Sequence, residues 1–116
     1  PQWTENRRAL ARRYRERLNS SGIKLVPFDD GSVHHLLVVR VNDRDAVQRQ
    51  LSEAGVATGV HYPIALSQQP VFADLGATTP NAEAAAATVL SLPMDPLMNF
   101  EDVELVCAIL QETLGV

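Results

Sequence analysis

Residues 33–62 read VHHLLVVRVNDRDAVQRQLSEAGVATGVHY. The first nine, Val33–Val41, are almost continuously β-branched or aliphatic, which predicts a strand buried on both faces and therefore central in a sheet. Asn42 then stands as a helix cap with Asp45 three residues on. Val47, Leu51 and Ala54 line one helical face, and Gly55 ends the run. Val56–Tyr62 follows as a second strand. Strand, short helix, glycine and strand make a βα-type unit within an α+β domain.

Working outward, Thr4 can cap an N-terminal helix whose apolar positions Leu10, Tyr14 and Leu18 recur every four residues, and Asn19–Gly22 ends it. Ile23–Phe28 is a short apolar run closed by the turn residues Asp29, Asp30 and Gly31, which predicts a further strand. Beyond Tyr62, Pro63 has no N–H for a sheet ladder, so the chain becomes a loop and then a helical turn around Pro70–Leu75. Thr79 and Pro80 open an alanine-rich helix. Two residues precede prolines in SLPMDP (91–96), which makes that piece extended. Asn99 caps a last helix with Val103, Val106, Cys107, Leu110 and Leu114 on one face, and Gly115 stops it. With no repeat and no linker-like stretch, residues 1–116 read as one domain.

The composition, 46% hydrophobic and 21% charged over 116 residues, is that of one globular core rather than of a disordered or fibrous chain. The longest strictly apolar run, Leu105–Leu110, is far too short to span a bilayer, and PQWTENRR has no apolar h-region. A soluble, cytoplasmic protein is expected, with no membrane partner. The lone Cys107 excludes an internal disulfide, fits a reducing compartment, and reads as a small buried hydrophobe. The chain starts at Pro1 without an initiator Met, from which an excised piece of something longer is expected.

Chemistry is sparse. His34 and His35, adjacent on the predicted strand, point to opposite faces and cannot share a metal, so no metal site is expected. The glycines are dispersed, and neither GxGxxG nor a P-loop can be drawn. No Ser-His-Asp order stands out, and Asp29 with Asp30 read as turn residues. Six of the ten basic residues, Arg7, Arg8, Arg12, Arg13, Arg15 and Arg17, fall in the first helix, whereas the net charge is -4. Glu5 and Glu16 dilute this basic face and no stacking platform follows, so a solvated face or an acidic partner domain is favoured over nucleic acid. His61-Tyr62-Pro63 remains. An imidazole and a phenol at a strand end, with a proline fixing the exit, put two hydrogen-bonding groups at a sheet rim, where ligands often bind. The same residues also read as a Tyr packed on the core edge and a His satisfying a loop carbonyl.

Taken in order, WTENRRALARRYRERL, HHLLVVRV, RDAVQRQLSEAGVATGVHYP, QQPVF and AEAAAATVLSLPMDP resemble the C-terminal part of the DegT/DnrJ/StrS family of pyridoxal-phosphate (PLP)-dependent sugar aminotransferases. That family places two arginines before an H-L strand, then an R-D helix, a GI-x-T-x-x-HYP-x-PLH-x-QP loop and a SLP-x-x-P segment. The match covers essentially the whole chain. It implies a small C-terminal α+β domain of a fold-type I aminotransferase, a small mainly antiparallel sheet flanked by helices. The implied enzyme is homodimeric and moves an amino group from glutamate or glutamine onto a keto sugar, usually nucleotide-linked.

The resemblance further implies that a large N-terminal domain carries the Schiff-base lysine. The only lysine here, Lys24, lies outside any family lysine motif, so this segment is expected neither to hold PLP covalently nor to turn over alone. His61 and Tyr62 fall on the HYP loop, which implies a substrate-facing role. Ala65 and Ser67 replace the proline and histidine of PLH, so any role of that histidine is lost or changed to a hydroxyl. Some relatives lack the lysine and carry out dehydration. The alternative from the residues alone is a free-standing ferredoxin-like α+β ligand-binding or regulatory module.

Overall fold

The computed structural model describes all residues from Pro1 to Val116. Four helices, α1 (Gln2–Asn19), α2 (Arg44–Glu53), α3 (Pro80–Thr88) and α4 (Phe100–Leu114), flank three strands, β1 (Lys24–Leu25), β2 (Leu37–Arg40) and β3 (Val89–Leu92). The strands form one antiparallel sheet in the order β1-β2-β3, with Leu25 opposite Val39 and Val39 opposite Leu90. The small antiparallel sheet expected from the sequence is therefore present, with β2 at its centre. No helix is long and apolar enough to cross a membrane.

One continuous apolar cluster lies under the sheet. Leu10, Tyr14 and Leu18 of α1 meet Val103, Cys107 and Leu110 of α4, and Leu37, Val39, Leu90 and Leu92 supply the sheet's side. The four-residue spacing in α1 puts those side chains on one stripe, so the helix buries them together. The Tyr14 hydroxyl donates to Pro93 O at 2.8 Å, tying α1 to the segment after β3, and burial holds its phenol well above the usual range. Tyr14→Phe should cost about 1 to 2 kcal/mol in denaturant unfolding, because Pro93 O is left without its donor. An unchanged midpoint would show that the bond contributes nothing. Cys107 is fully buried, and its thiol is pushed up to about 11 by that burial, in keeping with a packing role.

Several elements depart from expectation for identifiable reasons. Helix α1 begins at Gln2, with Pro1 O accepting the first bond from Glu5 N–H, so Thr4 sits inside the helix rather than capping it. Strand β2 is shorter than Val33–Val41 and alternates buried and half-buried side chains, because only its core face is fully covered. It is β3 that is buried at every position. At the start of α2 the cap position is Asp43, in the left-handed region at φ 50°, not Asn42, and the Asp45 carboxylate is taken by Arg44 Nε at 2.7 Å. Ala54 is exposed, while Gly55, at φ 88°, ends the helix as predicted.

The largest correction concerns Val56–Tyr62. It is not a strand; only Gly59 bridges Ser91, on the edge of β3 that β2 leaves free. The strand, helix and strand order on which the ferredoxin-like alternative rests therefore lacks its second strand. Both the helical turn at Pro70–Leu75 and the Asn99 cap of α4, whose side chain accepts from Asp102 N–H, are as read from the sequence.

His34 and His35 precede β2 rather than lying on it. His34 is buried at 5% exposure with its ring edge-on to Phe28 at 4.4 Å, whereas His35 is exposed. Arginines of α1 hold this loop by its carbonyls: Arg7 donates to His34 O at 3.2 Å, Arg8 to Ser32 O at 3.2 Å and Arg15 to Phe28 O at 3.4 Å. Arg13 and Arg17 pair with Glu104 of α4. Five of the six arginines of this face thus have partners within the chain, and Arg12 is exposed.

Burial, and then Arg15, Arg8 and Arg12, lower the His34 pKa, with Asp29 opposing them. The folded state therefore binds its proton less readily than the unfolded chain, and stability is expected to fall as pH drops below about 6.5. Denaturant midpoints at pH 7.5 and 5.5 should differ less in His34→Gln than in the parent. An equal drop in both would assign the acid sensitivity to other groups.

Candidate functional site

Gly59 sets the geometry of the HYP segment. Its N–H donates to Ser91 O at 3.1 Å and its carbonyl accepts from Ser91 N–H at 2.8 Å, so the segment is anchored to the free edge of β3. The chain then turns, and His61 Nδ1 returns to 2.9 Å from Ser91 Oγ. The imidazole folds over Gly59 closely enough that a Cβ there would stand 2.7 Å from His61 Cε1, so glycine is required for this contact. Tyr62 is 72% exposed, with its ring edge-on to the His61 ring at 5.5 Å. Neither side chain packs on the core. His61 meets a serine hydroxyl rather than a loop carbonyl, and Tyr62 leaves the core edge altogether.

The following loop explains the two departures from PLH. Ala65 N–H donates to Gln68 Oε1 at 2.8 Å, a bond that a proline at 65 would abolish for want of an N–H. Ser67 Oγ lies 2.6 Å from Thr79 Oγ1 and donates to Glu83 Oε1 at 3.2 Å. The Ser67 hydroxyl therefore fastens the loop to the start of α3. Thr79 precedes α3 as expected, but its hydroxyl faces Ser67 and makes no capping bond.

Arg44, almost fully buried, fixes the other side of β3. Its Nη1 donates to Ala86 O at 2.8 Å and Val89 O at 3.0 Å, where α3 passes into β3. Arg44 and Ser91 were not legible as site supports, since each acts across thirty or more residues of sequence. One signal pointed to Ser91: a lone hydroxyl between Leu90 and Leu92 in a buried strand must find a partner.

The residues present do not form a covalent cofactor site. Lys24 lies on β1, at the opposite edge of the sheet from the edge that carries Gly59 and His61. Three inter-strand steps of roughly 4.8 Å separate β1 from the Gly59 segment. Lys24 faces an open groove of 560 Å³ shared with Arg40 and Asn42. No group of three or more His, Cys, Asp or Glu side chains is arranged to hold a metal ion.

The model of the DegT/DnrJ/EryC1/StrS aminotransferase family matches residues 1–111. The chain belongs to this family. It is 40% identical over 89 residues to the UDP-2-acetamido-2-deoxy-3-oxo-D-glucuronate aminotransferase of Pseudomonas aeruginosa, covering 77% of this chain and 25% of that protein. Among solved structures, S. venezuelae DesV in complex with a ketimine intermediate superposes with a TM-score of 0.85 at 34% identity, over 95% of this chain and 31% of that one. NtdA from Bacillus subtilis, with bound cofactor PMP, superposes with a TM-score of 0.85 at 29% identity, over 97% and 28% of the two chains. The chain thus spans about a quarter to a third of the length of the relatives it matches.

Proposed function

We propose that residues 1–116 form the C-terminal small domain of a PLP-dependent sugar aminotransferase, packed on a larger N-terminal domain that carries the Schiff-base lysine. The complete enzyme transfers an amino group from glutamate or glutamine to a keto sugar, nucleotide-linked as in the name of the P. aeruginosa relative, and works as a cytoplasmic homodimer. PLP, bound in the large domain, supplies the electron sink for moving the amine.

The observation that carries this reading is the unpartnered arm after the HYP turn. Every residue from Pro70 to Ala82 is exposed, and so are the large apolar side chains of Tyr62, Ile64, Leu66, Val71, Phe72 and Leu75. So many apolar groups on one short segment mark a surface that is covered in the complete protein. The radius of gyration, 15.3 Å, exceeds the roughly 13 Å of a compact chain of this length, as an arm reaching away from its own core requires.

Within that setting His61 and Tyr62 form one wall of the site. Their hydrogen-bonding groups hold the sugar or its phosphate in place, and the apolar arm beside them excludes water where the domains meet. The test is amine transfer by the complete protein, followed as 2-oxoglutarate released from glutamate, or 2-oxoglutaramate from glutamine, on adding nucleotide-linked keto sugars. Release that depends on the sugar supports the reading. A cofactor-loaded protein that releases none with any of them would overturn it.

A further inference from the structure

The bond between Ser91 and His61 determines what the imidazole can offer a ligand. Both backbone groups of Ser91 are engaged with Gly59, and Oγ has His61 Nδ1 as its only hydrogen-bond partner in the chain. Ser91 is 5% exposed, so water has little access to it. If Nδ1 carried the proton, the hydroxyl hydrogen would be buried without an acceptor. If Nδ1 is bare, the hydroxyl donates to it and is satisfied. An unmet buried donor is costly enough to favour the second arrangement by a factor on the order of ten.

We infer that Ser91 is a positioning residue that keeps Nδ1 of His61 unprotonated and places the ring proton on Nε2, which makes no hydrogen bond within the chain. His61 then presents a fixed N–H donor, suited to an acceptor oxygen such as that of a phosphoryl group, and not a base at Nε2. Gly59 supplies the space that lets the ring lie in this orientation. The donor role toward substrate rests on the proposed function; the proton assignment rests on the Ser91 contact alone.

The two are separated by labelling the chain with 15N-histidine. It has three histidines, and His61→Ala assigns the relevant pair of ring nitrogens. The expected spectrum shows Nδ1 as an unprotonated nitrogen accepting a hydrogen bond and Nε2 carrying the proton. Ser91→Ala removes the hydroxyl yet keeps the backbone bonds to Gly59, and it should return the Nδ1 signal toward that of a free imidazole; Ser91→Thr should restore it. Gly59→Ala, which pushes the ring off Ser91, should match Ser91→Ala with the hydroxyl still present.

A proton on Nδ1, or a spectrum unchanged in Ser91→Ala, overturns the assignment. In the complete protein, Ser91→Ala should raise KM for the nucleotide-linked sugar about 3- to 10-fold with kcat and cofactor absorbance nearly unchanged, the signature of lost binding. The expected spectrum with an unchanged KM would overturn the donor role while leaving the proton assignment in place.

Discussion

His61→Ala in the complete protein should lower kcat/KM for the keto sugar by about 10- to 100-fold, the cost of one hydrogen bond to a charged group, while cofactor absorbance stays unchanged. The expectation follows from position. The imidazole lies on an exposed turn, held by Ser91 and fitted over Gly59, and takes no part in the core. Removing it should leave folding intact and act on substrate alone. Steady-state kinetics beside an absorbance spectrum check this: unchanged kinetics would return the turn to a structural role, and loss of cofactor would place His61 in the cofactor's site.

Leu110→Ala should destabilise the fold by about 2 to 4 kcal/mol. Leu110 is fully buried on α4 in the cluster that includes Tyr14 and Leu18 of α1, so truncation leaves a cavity where two helices meet. Helix α4 also carries Glu104, which receives Arg13 and Arg17 of α1, so its position is fixed from both sides of the contact and the site has little freedom to collapse. Chemical denaturation measures the effect. A loss below about 0.5 kcal/mol would mean that α4 does not close the core.

What was legible in the sequence is what local physics dictates. The stripes of α1 and α4 follow from apolar spacing, and Gly55 and Gly115, both in the left-handed region, mark helix ends wherever the chain is placed. Strand β3 was half hidden: Ser91 and Leu92 were read as extended, but Val89 and Leu90 continue an alanine-rich helical run without a break, and only pairing with β2 draws them into the sheet. Val56–Tyr62 misled for the converse reason: its β-forming residues have a single bridge available. Short apolar runs are ambiguous in this way because tertiary pairing outweighs propensity. His34 was assigned to a strand because nothing in VHHLL reveals the φ of 50° or the arginine side chains that hold the loop.

The site divided along the same line. His61 and Tyr62 were visible as a local constellation and as a family loop. Their supports, Ser91 and the cleared space at Gly59, are contacts between distant or small residues that carry no motif of their own. The internal roles of Ala65 and Ser67 likewise depend on Gln68, Thr79 and Glu83, which only the folded chain brings into reach.

The most direct test of the account is to load the complete protein with PLP, reduce it with borohydride and map the modified peptide by mass spectrometry. The account predicts one covalently trapped cofactor on a lysine outside Pro1–Val116 and no modification of Lys24. Cofactor trapped on Lys24 would contradict it, and so would a protein that binds PLP without trapping any, which would point to a lysine-free dehydratase.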